Sequence, residues 1–252
     1  MSGTRSPSPR VPATDRLADA ALVIATHGID EGPGIAAAHA REIAARGIFR
    51  TVAAACLRGE PSIEEAITAL APGPVRVVPL LMAEGYILAW LRARLATPGR
   101  EHRIELCQTI GTRPEIAGLV GELAEIRCRE RGWQSGRTSL VLAGHGTGRY
   151  LTSGDTAFAQ ASRIRRSAAF ADVFCAFLEQ EPFLSDVIAR ITGPVIVAGF
   201  FVDAGPHGRD DMRAVLAPFG ERATYLGPLG GHPRIADLIV EAAANCNPVT
   251  PG

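Results

Sequence analysis

A chain of 252 residues with 47% apolar and 21% charged side chains can bury one large core or two ordinary ones, which excludes wholesale disorder. Twenty-six basic residues balance 26 acidic ones, so nucleic-acid and membrane-surface partners, which need a basic field, are not expected. All 26 basic residues are arginine, and this excludes Schiff-base chemistry, pyridoxal phosphate and a Walker-type phosphate loop, each of which needs an amine.

In chain order, residues 1–19 are rich in Ser, Pro and Arg and lack a secretory apolar stretch, so they are expected to be a loose tail. From residue 20 to 131, short β-rich runs alternate with helical ones. Arg129–Arg137 is the expected connection to a second unit over 138–245, and 246–252 is a second tail. In the second unit, strands are predicted at 139–144, 172–178, 194–202 and 223–229, and helices at 155–168, 182–191, 209–217 and 233–244. Runs such as Leu140-Val-Leu-Ala and Val195-Ile-Val-Ala are continuously apolar, as a sheet buried on both faces requires. The five cysteines (Cys56, Cys107, Cys128, Cys175, Cys246) form no CxxC pair and are read as buried, reduced thiols of a cytoplasmic protein. No apolar run reaches the roughly 20 residues of a membrane span.

The two units repeat one another. Val23-Ile-Ala-Thr-His27-Gly28 returns as Val141-Leu-Ala-Gly-His145-Gly146, an offset of 118, and Glu60-Pro61 returns as Glu181-Pro182, an offset of 121. Gly73–Gly85 matches Gly193–Gly205, and Gly111–Val120 matches Gly230–Ile239, at offsets of 120 and 119. Strands alternating with helices give parallel sheets through right-handed crossovers, so the fold is expected to be α/β: two duplicated flavodoxin-like lobes, each a four-stranded parallel sheet with helices on both faces.

In such a sheet ligands bind beyond the carboxyl ends of the strands, where strand order reverses. For a 2-1-3-4 order, that point lies between the first and third strands of a unit. His145 follows the first strand of the second unit and His207 the third, so the two imidazoles are predicted to share a crevice although 62 residues separate them. The first unit keeps His27 but has Ile87 where His207 stands, so a structural role is expected for His27. Gly144, Gly146, Gly205 and Gly208 flank the pair and permit close ligand approach. Two neutral imidazoles with open positions suit Co²⁺, Fe²⁺, Ni²⁺ or Zn²⁺.

The succession of a His-Gly turn, Phe177-Leu-Glu-Gln-Glu-Pro182, Asp203-Ala-Gly-Pro-His-Gly-Arg-Asp-Asp211 and Pro228-Leu-Gly-Gly-His-Pro-Arg-Ile-Ala-Asp-Leu238 resembles the class II chelatases of the CbiX/SirB type, in tandem two-lobed form. The resemblance covers about residues 20 to 244. It implies chelatase-like lobes, a divalent metal (Co²⁺, Fe²⁺ or Ni²⁺) as substrate, sirohydrochlorin or a related tetrapyrrole as the other, and His145 and His207 as metal ligands with an acid such as Glu181 nearby. Arg149, Arg209 and Arg213 are candidates for clamping the tetrapyrrole's carboxylates. Glu181 is read equally as a ligand or base and as a first-turn helix acid. Asp210 and Asp211 are expected to complement the N-terminus of the helix after His207, and His39, His102 and His232 receive no role. No organic cofactor and no iron–sulfur cluster is expected, and oligomeric state is not readable. A histidine phosphatase would need an arginine just before the histidine, and Thr26 and Gly144 stand there instead. A non-catalytic tetrapyrrole or metal carrier on the same scaffold stays open, because fold does not fix function.

Overall fold

The computed structural model describes residues 15–28, 32–96, 103–146, 154–203 and 205–246, with the backbone alone for residues 15, 16 and 206–209. The first repeat comprises α1 (Asp15–Ala18), β1 (Ala21–Thr26), α2 (Ile35–Ala45), β2 (Thr51–Cys56), α3 (Ile63–Thr68), β3 (Pro74–Pro79), α4 (Tyr86–Leu95), β4 (Arg103–Leu106) and α5 (Glu115–Arg131). The second comprises β5 (Ser139–Gly144), α6 (Asp155–Arg165), β6 (Asp172–Phe177), α7 (Leu184–Arg190), β7 (Val195–Gly199), α8 (Pro206–Leu216), β8 (Ala223–Pro228) and α9 (Arg234–Ala244). The strands form two all-parallel sheets, ordered β2-β1-β3-β4 and β6-β5-β7-β8.

Strand alternation sorts each central strand onto two faces. Leu22 and Ile24 of β1 join a core shared by both repeats, whereas Ala21, Val23 and Ala25 face a separate cluster built with α3 and α4. Likewise Leu140 and Leu142 of β5 enter the shared core, and Val141 and Ala143 face α7 and α8. The molecule is therefore layered: outer helices, sheet, a central helical layer of α2, α5, α6 and α9, the second sheet, and outer helices again.

The last helix of each repeat crosses over. α5 packs on β7 and β8 of the second sheet, while α9 packs on β3 of the first. α9 buries Ile235, Ala236, Leu238, Ile239, Ala242 and Ala243, an apolar stripe at helical spacing. Its C-terminal end would leave carbonyls unpaired in the interior. Buried Arg76 of β3 supplies a donor, its Nη1 lying 3.0 Å from the Ala243 carbonyl and 3.1 Å from Glu105 Oε2. Two side chains add cross-repeat bonds in the central layer: His39 Nε2 lies 2.7 Å from the Gly230 carbonyl, and Gln160 Nε2 donates to the Gly111 and Arg113 carbonyls at 2.7 and 2.8 Å. His39, left without a role by sequence, is a buried structural histidine.

Several expectations are corrected. α5 continues to Arg131, so the connection is shorter than Arg129–Arg137. Leu17, inside the stretch expected to be loose, is buried in the shared core, because α1 lays it against the central layer. Cys107 and Cys246 are disulfide-bonded, not reduced thiols; the crossover of α9 brings their Cα atoms to 4.7 Å, within bonding reach. Cys56, Cys128 and Cys175 are free and buried. Burial pushes the Cys175 thiol up to about 12, as befits an inert core thiol. Residues 1–14 and 247–252 lie outside the described residues.

Candidate active site

In both sheets the first and third strands of a repeat lie side by side, and the helices that follow them leave toward opposite faces. After β5 the chain enters α6 in the central layer, whereas after β7 it enters α8 on the outer face. A crevice must open between the two strand ends. β1 and β3 do the same with α2 and α4.

The turn after β5 throws His145 out of the sheet. The Gly144 carbonyl accepts from Leu178 N at 3.1 Å and the His145 carbonyl from Glu179 N at 2.9 Å, extending the β5–β6 pairing past the strand ends. Gly146 then turns the chain at φ +75°, and a Cβ there would meet the Gln180 Cβ at 2.6 Å, so only glycine fits. The imidazole is half exposed, with its Nε2 3.4 Å from the Glu179 Oε2. The first repeat builds the same turn. The carbonyls of Thr26 and His27 accept from Leu57 N and Arg58 N at 2.9 and 2.8 Å, and Gly28 turns at φ +86° against the Arg58 carbonyl.

The two turns converge on one cavity of about 340 Å³ between the repeats, lined by His27, Leu81 and Met82 on one side and His145, Phe201, Val202 and Asp203 on the other. Apolar side chains with a few convergent polar groups are the usual lining of an organic ligand site. Asp203 Oδ2 also accepts a 3.3 Å hydrogen bond from Ile35 N, in the first turn of α2. A carboxylate there is favoured by the helix dipole, and it pins the chain after β7 to the opposite repeat.

His145 lines the cavity. His207 is the second residue of α8, entered directly from the chain that supplies Phe201, Val202 and Asp203; its side chain lies outside the described residues. The same holds for the Arg209 side chain, while Arg149 and His102 lie outside entirely. Arg213 lies two turns into α8. Glu181 does not line the cavity: it is exposed in a separate surface depression with Phe183, Asp186 and Arg190. The carboxylate against His145 belongs to Glu179. Among the described residues, no group of three or more His, Cys, Asp or Glu side chains is placed to hold a metal, so the arrangement on view is the His145–Glu179 pair.

The prediction of a helix over 209–217 is also corrected. α8 starts at Pro206, whose fixed φ suits the first helical position, so His207 lies inside the first turn and Asp210 and Asp211 lie beyond it. Sequence reasoning missed Glu179, Asp203 and the position of His27 in the cavity. A signal for Glu179 existed: it stands where the first repeat has Arg58, a charge reversal beside an otherwise repeated turn.

Two parallel sheets of one strand order, whose first strands each end in a His-Gly turn at a common cavity, define a two-lobed α/β protein of duplicated chelatase-like lobes. Residues 21–126 and 139–246 each match the CbiX family model, and the chain belongs to the CbiX family. It is 28% identical to the probable sirohydrochlorin cobaltochelatase of Halobacterium salinarum, over 89% of this chain and 91% of that one. The fold is similar to that of a multi-domain Deinococcus radiodurans protein described as resembling chelatases and carrying two additional novel domains. The TM-score is 0.74 and the identity 22%, over 90% of this chain and 55% of that one, so the chain spans little more than half of its length. It is likewise similar to the structure of CbiX described as the terminal enzyme of siroheme biosynthesis in denitrifying bacteria, with a TM-score of 0.71 and 24% identity over 88% of this chain and 96% of that one.

Proposed function

We propose that the protein is a chelatase that inserts a divalent metal ion, Co²⁺ or Fe²⁺, into sirohydrochlorin or a closely related tetrapyrrole. The observation that carries this reading is His145, presented at the end of β5 into the cavity between the repeats with Glu179 against its ring. Family membership supports it, as do the names of the relatives: one a cobaltochelatase, the other placed in siroheme biosynthesis. Ni²⁺ is the third metal to be tested.

Insertion requires a partly dehydrated metal, loss of two pyrrole protons, and a macrocycle held with its nitrogens facing the ion. His145 and His207 supply the imidazoles that replace metal-bound water. Glu179 takes the place the sequence reading gave to Glu181, orienting His145 or adding an anionic oxygen to the site. Leu81, Met82, Phe201 and Val202 offer apolar surface to the faces of the macrocycle. Arg149 and Arg209, on the chain segments that follow β5 and β7, are assigned to the peripheral carboxylates through bidentate pairs. No organic cofactor enters this scheme.

A cytoplasmic setting is part of the proposal. It accords with the free Cys56, Cys128 and Cys175 and with the absence, among the described residues, of a helix long and apolar enough to cross a membrane. The Cys107–Cys246 bond is the feature that does not accord with it.

An anaerobic absorbance assay with sirohydrochlorin and Co²⁺, Fe²⁺ or Ni²⁺ in turn tests the function against enzyme-free controls. Acceleration by the protein is the expected result. A spectral shift on binding, with no acceleration for any of the three metals, would replace the enzyme with a carrier.

A further inference from the structure

The cavity has two walls, and the scheme above takes its polar groups from the second repeat and only apolar surface from the first. His27 stands on the other wall, after β1, in a turn with the same backbone bonding as the turn of His145. We propose that His27 is the group that accepts a pyrrole proton, acting on the face of the macrocycle opposite the metal; the proposal rests on the chelatase reading above.

Three observations favour this division of labour. The first is the charge beside each turn. The residue whose N–H bonds the histidine carbonyl is Glu179 in the second repeat and Arg58 in the first, where the guanidinium carbon lies 5.7 Å from the Trp90 ring centroid. A carboxylate attracts a divalent cation and a guanidinium repels one, so the metal is directed to His145 and away from His27. The second is that Ile87 replaces the histidine that would complete a chelating pair on the first wall. Ile87 is the second residue of α4, as His207 is of α8. The third is the tautomer. His27 Nδ1 lies 3.1 Å from the Gly28 carbonyl oxygen, which can only accept, so Nδ1 carries the hydrogen and Nε2 keeps a lone pair. Among the described residues His27 has no acidic partner.

A flat macrocycle between the two walls presents one face to His145 and the other to His27. As the metal bonds to the ring nitrogens from the first side, a pyrrole N–H bond breaks toward the second. The proton goes to His27 Nε2, and the bonding pair stays on nitrogen for the metal. The imidazolium then releases its proton to water, and His27 Nε2 takes the second pyrrole proton in the same way. In total, two protons leave for each divalent ion that enters.

The test compares wild type, His27→Ala and His27→Gln in the anaerobic insertion assay, with Co²⁺ and sirohydrochlorin affinities measured separately by calorimetry and fluorescence quenching. Removing a positioned acid–base group should lower kcat by about 100-fold or more while KM and Co²⁺ affinity stay within about threefold. Added imidazole should restore part of the rate to His27→Ala, whose cavity can admit it, and less to His27→Gln. A His27→Ala kcat within about threefold of wild type would refute the proposal, as would a parallel loss of Co²⁺ affinity, which would make His27 a ligand. Absence of acceleration by the wild-type chain is a different failure, that of the chelatase reading itself, and removes this inference with it.

Discussion

The two repeats share strand order, a His-Gly turn after the first strand and a Glu-Pro turn after the second, yet their strand ends are not chemically equivalent. Where the repeats agree, the residues serve the backbone. Glu60-Pro61 and Glu181-Pro182 both carry cis peptide bonds, and the prolyl carbonyls accept from Cys56 N and Phe177 N at 2.8 and 2.9 Å. Where they differ, the substitutions fall on the chain just beyond the strand ends: Arg58 against Glu179, Ile87 against His207, Ala83 against Asp203. On the proposed function, the shared histidine gives each repeat an imidazole, and the divergent residues beyond the strand ends give the two imidazoles different tasks.

The sharpest way to break that comparison is to remove the histidines of the second repeat. His145→Ala and His207→Ala are each expected to reduce insertion to the enzyme-free rate with the circular dichroism spectrum unchanged. A double variant that still turns over normally would show that the second repeat holds no metal site. Glu179→Gln should cost about 10–100-fold in metal affinity or rate, as loss of a group orienting a metal-bound histidine generally does. Glu181→Gln should stay within about threefold, since that side chain is exposed outside the cavity. Reversal of the two results would return the acidic role to Glu181.

This pair also shows how far the sequence could be read. Strand order, the parallel sheets and the meeting of β5 and β7 at the crevice were legible, because continuous apolar runs and the internal repeat constrain them jointly. The resemblance implies an acid near the histidine pair but does not distinguish Glu181 from Glu179, two residues before it in the same turn. The crossover of α5 and α9 was illegible for a physical reason. An apolar helical stripe records that a helix is buried but not which of two similar sheets it covers. The Cys107–Cys246 pairing was hidden with it, since it exists only because α9 returns to the first sheet. The place of His27 in the cavity was not legible in isolation, because a histidine at one strand end lines a cavity only when the other repeat closes over it.

The comparison can be sharpened by making the repeats alike. Arg58→Glu together with Ile87→His gives the first strand ends the residue types of the second. If charge and a second imidazole are what separate the two walls, the double variant should bind Co²⁺ with a stoichiometry approaching two per chain against one for wild type. Binding that stays at one would mean that groups beyond these positions, Asp203 among them, decide where the metal rests. Fold stability should change little, because Ile87 and Arg58 lie outside the fully buried core.

The smallest effects separate the repeats at the far ends of their crossed helices. α9 is fastened to the first sheet by Cys107–Cys246, which closes a loop of 139 residues. At the corresponding place on α5, Arg127 Nη1 donates to Thr224 Oγ1 at 3.2 Å and to the Tyr225 carbonyl at 3.4 Å. A crosslink over a long loop restricts the unfolded chain, whereas a partly exposed guanidinium offers bonds that water can replace. Cys246→Ser should therefore destabilise the oxidised protein by about 2–4 kcal/mol. Arg127→Ala should cost about 1 kcal/mol or less. Denaturant melts with and without reductant check both: reductant should bring wild type down to Cys246→Ser and leave the effect of Arg127→Ala unchanged. If reductant leaves the wild-type melt unmoved, the thiols are not bonded in solution, and α9 is held without a crosslink, by packing, by Arg76 and by the ion pairs of Arg46 with Asp237 and Arg113 with Glu241.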